Sequence, residues 1–168
     1  MVAQIRSRSQ GAKKVDVVAG LAGLALAGSG LLHMYQGPMH LDHSWEHGTI
    51  LITVGVVDLA WALAWLTKRS TTLLHVGLFL PVMTVVLYTI SRFLPLPFEG
   101  SPEEVTALNL GTQLFEVAGF AALLGVAALL HRKARTVAIT AAAAFLAAWA
   151  FYGAALLAAA PTTQGGQP

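Results

Sequence analysis

Five long apolar stretches restrict what this chain can fold into. They cover residues 15–34, 48–66, 73–94, 107–130 and 137–160. A helix needs about 20 apolar residues to cross the hydrocarbon core of a bilayer, and each stretch has about that length. Only 11% of the residues are charged, against about 25% in soluble domains. The sequence therefore predicts an all-α integral membrane protein, a bundle of five transmembrane helices in the lipid bilayer.

The basic residues predict how the bundle is oriented. Of the ten Lys and Arg residues, four precede the first stretch, two lie between the second and third stretches, and three lie between the fourth and fifth. The exception is Arg92. Because Lys and Arg concentrate in cytoplasmic loops, we expect the N-terminus inside and the C-terminus outside. The predicted organisation is a basic cytoplasmic tail over 1–14, one bundle over 15–160 and a disordered tail over 161–168. The net charge of +2 follows from this loop distribution and gives no reason to expect a nucleic-acid partner.

The first stretch permits a second interpretation. A basic segment precedes it, and the triplet Ala25-Leu26-Ala27 resembles a signal-peptide cleavage site. Asp16 and the apolar run that continues to Leu32 argue against cleavage. Cleavage would leave four transmembrane helices, and the loop after the first stretch would face outward in either case.

Residues 33–58 form the most chemically distinctive segment, with four of the six histidines. Gly37 and Pro38 predict a break in the first helix. Asp42 or Ser44 is the expected N-cap of the next helix.

The histidine spacing in this segment suggests a metal site. At 100° per residue, His40, His43 and His47 fall within about 60° of one another on a helix that already includes His40. Imidazole binds Cu, Zn, Fe and Ni, and the methionine thioether adds a preference for Cu(I). We therefore expect copper first, or zinc, with His33 and Met39 as auxiliary ligands. Two other interpretations stay open: an interfacial role for amphipathic rings and a pH response of imidazoles that titrate near neutrality.

Apart from Asp16 at the start of the first stretch, the charged residues within the apolar stretches are Asp58, Arg92 and Glu116. A charged side chain at the centre of a membrane helix costs about 2.5–3.5 kcal/mol, so each should face the bundle interior. The simplest arrangement is an Arg92–Glu116 ion pair between stretches three and four. The sequence offers Asp58 no obvious cation at its depth. The two acids are therefore either relay sites for protons or cations, or structural pins between helices.

Common enzyme and cofactor signatures are missing from the sequence. It has no glycine-rich phosphate loop, no nucleophile elbow and no cysteine. This favours a protein that is not an enzyme. Non-covalent ligation of haem or chlorophyll by a single histidine stays open, with His33 as the first candidate.

Several short motifs together resemble a known family. They are His33 at the end of the first helix, Glu46-His47, Ser91-Arg92 followed by Leu96-Pro97-Phe98, and Glu116 in the fourth helix. Over roughly residues 20–130 the chain is similar to small, poorly characterised bacterial inner-membrane proteins. The resemblance implies a multi-pass protein of the bacterial cytoplasmic membrane and carries no activity with it.

Three functional hypotheses follow. The leading one is a protein that binds, or also transports, a transition metal on its extracytoplasmic side. The second is a non-catalytic subunit or assembly factor of a larger membrane complex. The partner would be another membrane protein or a second copy of this chain. The third is a small proton-coupled carrier that uses Asp58 and Glu116.

Overall fold

The computed structural model describes residues 2–42, 44–94 and 105–130, with side chains from Gly11 onward. Throughout these residues the regular structure is helical. The helices are α1 (Val2–Leu41), α2 (Trp45–Thr67), α3 (Thr71–Phe93) and α4 (Ala107–Leu130). All four are long and apolar enough to cross a membrane. The fifth predicted helix, 137–160, and the predicted tail, 161–168, lie outside the described residues.

Helix α1 is longer than the sequence predicts at both ends. It begins at Val2, so the basic segment over residues 2–14 is helical and continuous with the first apolar stretch. It also continues through Gly37 and Pro38 to Leu41, so the predicted break is wrong. Pro38 lies in the last turn with its side chain exposed. Its missing N–H therefore affects only the end of the helix.

Ser44 is the N-cap of α2, one of the two candidates that the sequence suggests. Its hydroxyl accepts a hydrogen bond from the His47 backbone N–H at 3.2 Å, as N-cap residues do. The Ser44 backbone N–H in turn donates to the His40 carbonyl at 2.9 Å. A short turn therefore joins α1 to α2, and the two helices run antiparallel.

Glycines bring α1 and α2 into backbone contact at two levels. A Cβ on Gly55 would lie 2.7 Å from the Gly30 carbonyl oxygen, and a Cβ on Gly48 would lie 2.8 Å from the Gly37 carbonyl oxygen. The two glycine pairs are separated by about two helical turns on each helix. Helix association in lipid depends on such close packing. The α1–α2 contact is accordingly the most extensive in the bundle.

The four helices form a ring. Helix α1 packs on α2 and α4, and α3 packs on α4 and, over the smallest area, on α2. Two indole N–H groups add ties between helices: Trp65 Nε1 donates to the Ala19 carbonyl and Trp61 Nε1 to the Leu73 carbonyl, both at 2.9 Å. Both hydrogen bonds lie near the end of the bundle at which Lys68 and Arg69 follow α2, here called the basic end. The apolar core near this end consists of Ala19, Ala22, Leu26, Trp61, Ala62, Trp65, Leu74, Leu123 and Val126.

Large apolar side chains cover the outside of the bundle. Those that are more than half exposed include Leu21, Leu24, Leu63, Phe79 and Phe93. A surface of this kind suits contact with lipid chains and not with water. The chain thus has the fold and surface of a multi-pass membrane protein.

Candidate metal centre

Three ionisable side chains from three helices meet inside the bundle. They are His33 of α1, Asp58 of α2 and Glu116 of α4, and they are here called the buried cluster. Each offers one ligand atom, and these atoms all lie within 4.8 Å of one another. The exposed fractions are 4% for His33 and 0% for both acids. Asp58 and Glu116 are at least two turns from either end of their helices, so the cluster lies deep within the apolar length of the bundle.

The glycine contact between α1 and α2 creates this arrangement. His33 follows Gly30 by three residues and Asp58 follows Gly55 by three residues, so both side chains lie close to the point where the two backbones touch. A Cβ on Gly30 would lie only 3.1 Å from the Asp58 Cβ. The buried cluster therefore depends on a helix separation that larger residues at these positions would not allow.

Glu116 is held by two residues of α1. The Ser29 hydroxyl donates a hydrogen bond to Glu116 Oε1 at 2.5 Å, and His33 Nε2 lies 3.6 Å from the same oxygen. This differs from the ion pair with Arg92 that the sequence suggests. Helix α1 reaches Glu116 from the side on which it packs against α4, and it supplies both polar partners.

Most polar atoms of the buried cluster lack hydrogen-bond partners among the described residues. They are both ring nitrogens of His33, both carboxylate oxygens of Asp58 and Glu116 Oε2. Buried polar groups ordinarily have a partner, and two carboxylates this close repel each other when both are ionised. A divalent cation bound by one atom of each side chain would give all three residues a partner and balance both negative charges.

The spacing of the donors is wider than that of a formed metal site. In a tetrahedral Zn²⁺ site, ligand atoms that lie about 2.0–2.2 Å from the metal are about 3.3–3.6 Å from one another. The three ligand atoms of the buried cluster lie within 4.8 Å of one another, so metal binding requires side-chain rotations that shorten the longest separation by up to about 1.5 Å. One imidazole and two carboxylates suit Zn²⁺, and also Fe²⁺ or Mn²⁺, better than Cu(I), which prefers sulfur ligands. Ser29 would then orient a ligand from outside the coordination sphere.

A cavity of about 310 Å³ adjoins the buried cluster, and His33 lines it. Its other polar lining includes Gln36, Arg92 and Gln113, and its apolar lining includes Ile50, Leu51, Val54 and Leu87. Gln36 Nε2 also donates to Thr112 Oγ1 at 2.6 Å, which ties α1 to α4 beside the cavity. The cavity extends from His33 towards the end of the bundle that carries His40 and His47, here called the histidine end.

The predicted histidine ligands are brought together in part. The rings of His40 and His47 lie 4.3 Å apart, centroid to centroid, and both line the cavity. They do not share one helical face as predicted, because α1 continues to Leu41 and so carries His40, whereas α2 carries His47. His43 lies outside the described residues. Met39 is 55% exposed, and it is neither in the buried cluster nor in the lining of the cavity.

Arg92 occupies the wall of the cavity on α3. It is 9% exposed, and its guanidinium carbon lies 4.4 Å from the centroid of the Tyr88 ring, a cation–π distance. The structure thus brings three of the residues that the sequence singled out, His33, Asp58 and Glu116, into one cluster and places Arg92 beside the cavity.

Two residues that matter here were missed from sequence. Ser29 lies in the run Gly28-Ser29-Gly30, whose small side chains suggest only helix packing, and Gln36 follows the cluster histidine without a recognisable motif. A signal was nevertheless present. Ser29, His33 and Gln36 follow i, i+4, i+7 spacing and therefore share one face of α1.

No known protein family matches this chain, and neither a curated protein nor a solved structure is similar to it. The function proposed below therefore follows from the buried cluster and the cavity alone.

Proposed function

We propose that this chain is a multi-pass membrane protein that binds one divalent transition metal at the buried cluster, with Zn²⁺ as the first candidate. One observation carries the proposal: an imidazole and two carboxylates from three helices lie within 4.8 Å of one another in a membrane-spanning interior. Charged groups at such depth are rare, and they usually mark sites of function. The donor set favours Zn²⁺ over the copper that the methionines suggest, because the cluster contains no sulfur.

The distribution of charge supports an orientation for this site. The basic end carries Lys13, Lys14, Lys68 and Arg69. Because Lys and Arg concentrate in cytoplasmic loops, we assign this end to the cytoplasm. We place the histidine end, and with it the mouth of the cavity, on the extracytoplasmic side of a bacterial cytoplasmic membrane. His40 and His47 then lie where a metal ion would first meet the protein.

Metal content of the purified protein tests the proposal. Protein in nanodiscs is equilibrated with Zn²⁺, freed of unbound metal and measured by mass spectrometry. We expect about one equivalent in the wild type, and Asp58→Asn or Glu116→Gln should lower the affinity at least tenfold, since outer-sphere changes alone cost 10–100-fold. Helix content and gel-filtration profile establish that each variant is folded.

Two controls separate the buried cluster from the outer histidines. Glu46→Gln is the same substitution at the half-buried acid in the first turn of α2, and it should leave the Zn²⁺ content unchanged. The triple substitution of His40, His43 and His47 by Ala should also retain the metal. Negligible Zn²⁺ in the wild type, or loss of Zn²⁺ only in the triple variant, would contradict the proposal.

A second candidate function is proton-coupled transport through the same residues. The observation that favours it is the unpartnered state of both Asp58 oxygens within the buried cluster, since buried carboxylates of this kind serve proton relays. A wild type that takes up no metal, combined with proton-dependent solute uptake that Asp58→Asn abolishes, would support this function in place of metal binding.

A further inference from the structure

The cavity beside the buried cluster presents a mainly apolar surface. The apolar side chains that line it belong to α2 and α3 and are Ile50, Leu51, Val54 and Leu87. Its volume of about 310 Å³ lies at the lower end of the range of ligand pockets, about 300–1,000 Å³. Because a charged group that leaves water for an apolar surface loses its hydration without compensation, the cavity favours an uncharged molecule.

Some polar side chains in the lining already have partners within the protein. Gln36 Nε2 donates a hydrogen bond to Thr112 Oγ1 at 2.6 Å. The guanidinium carbon of Arg92 lies 4.4 Å from the centroid of the Tyr88 ring, which is a cation–π distance. These contacts within the bundle give no reason to expect a charged ligand.

Gln113 of α4 differs from these residues. It lines the cavity and is 2% exposed, and its Oε1 atom has no hydrogen-bond partner among the described residues. A buried amide oxygen ordinarily accepts a hydrogen bond, and a hydroxyl group is an uncharged donor. The cavity therefore offers a bound molecule one position for a hydroxyl group and apolar contacts for its hydrocarbon part.

The cavity reaches the surface of the bundle at α2 and α3. Ile50 of α2 and Leu87 of α3 line it, yet they are 42% and 48% exposed. These two helices also share the smallest contact in the ring. Because the outside of a membrane-spanning bundle faces lipid, a lipid-soluble molecule can enter here directly from the bilayer.

The volume of the cavity limits the size of this molecule. An apolar protein cavity of about 150 Å³ accommodates benzene, and the volume here is about 310 Å³. A molecule with about twice as many non-hydrogen atoms as benzene, about 12, would therefore fill it. We infer that the cavity binds an uncharged, lipid-soluble hydroxyl compound of about this size, whose hydroxyl group donates a hydrogen bond to Gln113 Oε1. The inference goes beyond metal binding and does not require a metal ion at the buried cluster.

Three probes with the same bicyclic ring test the inference. The first, 2-naphthol, has the hydroxyl group; 2-methoxynaphthalene keeps the oxygen but has no donor; and 2-naphthoate carries a negative charge at neutral pH. Protein in nanodiscs of neutral phosphatidylcholine is dialysed to equilibrium against protein-free nanodiscs, so that partitioning into lipid cancels. We expect saturable binding of about one 2-naphthol per chain, about fivefold tighter than that of 2-methoxynaphthalene, as one hydrogen bond provides. The affinity for 2-naphthoate should be at least tenfold lower than that for 2-naphthol.

Three results of this dialysis would overturn the inference. They are equal affinities for 2-naphthol and 2-methoxynaphthalene, a higher affinity for 2-naphthoate, and the absence of saturable binding. The last result is expected if a lipid acyl chain or another segment of this chain fills the cavity.

One pair of variants tests the hydrogen bond to Gln113. Gln113→Leu removes the acceptor, so 2-naphthol should bind no more tightly than 2-methoxynaphthalene. Thr84→Val is the matched control, because Thr84 also lines the cavity but its hydroxyl donates to the Leu80 carbonyl at 3.1 Å. This variant should keep the preference for 2-naphthol. A preference that persists in Gln113→Leu would overturn the inference.

A second pair of variants locates the binding in the cavity. Val54→Trp fills the space with an indole ring and should weaken the binding of 2-naphthol at least tenfold. Leu63→Trp is the matched control on the same helix, because Leu63 is 67% exposed and does not line the cavity. It should change the affinity less than twofold. Unaltered binding to Val54→Trp would overturn the inference even if Gln113→Leu proved unstable.

The same dialysis separates this inference from the proposed metal site. Glu116→Gln should lose Zn²⁺ yet still bind 2-naphthol, because Glu116 does not line the cavity. If the wild type binds 2-naphthol as expected and takes up no Zn²⁺, the proposed function fails and the inference stands. If it takes up Zn²⁺ and does not bind 2-naphthol, only the inference fails.

Discussion

Gly55→Ala tests the backbone contact on which the buried cluster depends. The added Cβ would lie 2.7 Å from the Gly30 carbonyl oxygen and 2.9 Å from the Met34 backbone nitrogen. An ordinary contact begins at 3.4 Å, so the Gly30 oxygen must withdraw by the difference between 3.4 and 2.7 Å, about 0.7 Å. Because both neighbours are backbone atoms, no side-chain rotation relieves the clash, and α1 and α2 must move apart.

The size of the effect follows from this clash. Overpacking of a tightly packed core costs about 1–3 kcal/mol, and we expect the upper end where rigid backbone must move. Alanine is favoured over glycine in a helix by about 0.5–1 kcal/mol, which offsets part of this. The expected net destabilisation is about 2 kcal/mol, or roughly 30-fold in the unfolding equilibrium. The same movement separates His33 from Asp58, so the affinity for Zn²⁺ should fall as well.

The matched control is Gly20→Ala on α1, where an added Cβ meets no atom within 4 Å. We expect it to be neutral or to stabilise the protein by up to about 1 kcal/mol. Both variants can be unfolded with sodium dodecyl sulfate in mixed micelles and followed by circular dichroism. A Gly55→Ala protein that is as stable as the wild type, or that cannot be distinguished from Gly20→Ala, would refute the glycine contact and the cluster geometry built on it.

Three further predictions address the site and the packing. The affinity for Zn²⁺ should fall as the pH is lowered, because imidazole and carboxylate bind a metal only when deprotonated. An affinity that does not change with pH in Zn²⁺ titrations would contradict a site of this composition. Ser29→Ala should weaken Zn²⁺ binding about 10–100-fold by releasing Glu116, with little loss of helix content, and full retention of affinity would show that the hydroxyl does not position the ligand. Trp65→Phe should destabilise the bundle by about 0.5–1.5 kcal/mol, because the hydrogen bond to the Ala19 carbonyl is lost. Trp45→Phe changes a side chain that is 67% exposed, and it should have no measurable effect in the same unfolding assay.

The histidine segment shows why spacing alone did not predict which helix carries each ring. Helical spacing predicts which residues share a face only if all of them lie on the same helix, and this requires that the helix begin and end where expected. Helix α1 extends to Leu41, which assigns His40 and His47 to different helices. The rings of His40 and His47 still meet, because the connection between the helices is short. The ionisable side chains with the greatest burial lie two turns deeper, around His33.

The polar residues of the apolar stretches show the complementary case. The cost of charge in lipid predicts that Asp58 and Glu116 face inward, and both are fully buried. Their partners could not be predicted in the same way. Glu116 meets Ser29 and His33 of α1 and not Arg92, because the choice depends on how far each helix is rotated about its axis.

The sequence by itself determined the membrane class, the bounds of α2, α3 and α4 to within a few residues, and the inward direction of the two acids. It also limited the N-cap of α2 to Asp42 or Ser44. These properties depend on apolar length, local capping and the cost of buried charge, all of which are local to a segment of chain. Only the tertiary structure decided the neighbours of each helix and the joining of His33, Asp58 and Glu116. Those relations depend on axial register and helix separation, which are set where Gly30 and Gly55 allow two backbones to touch.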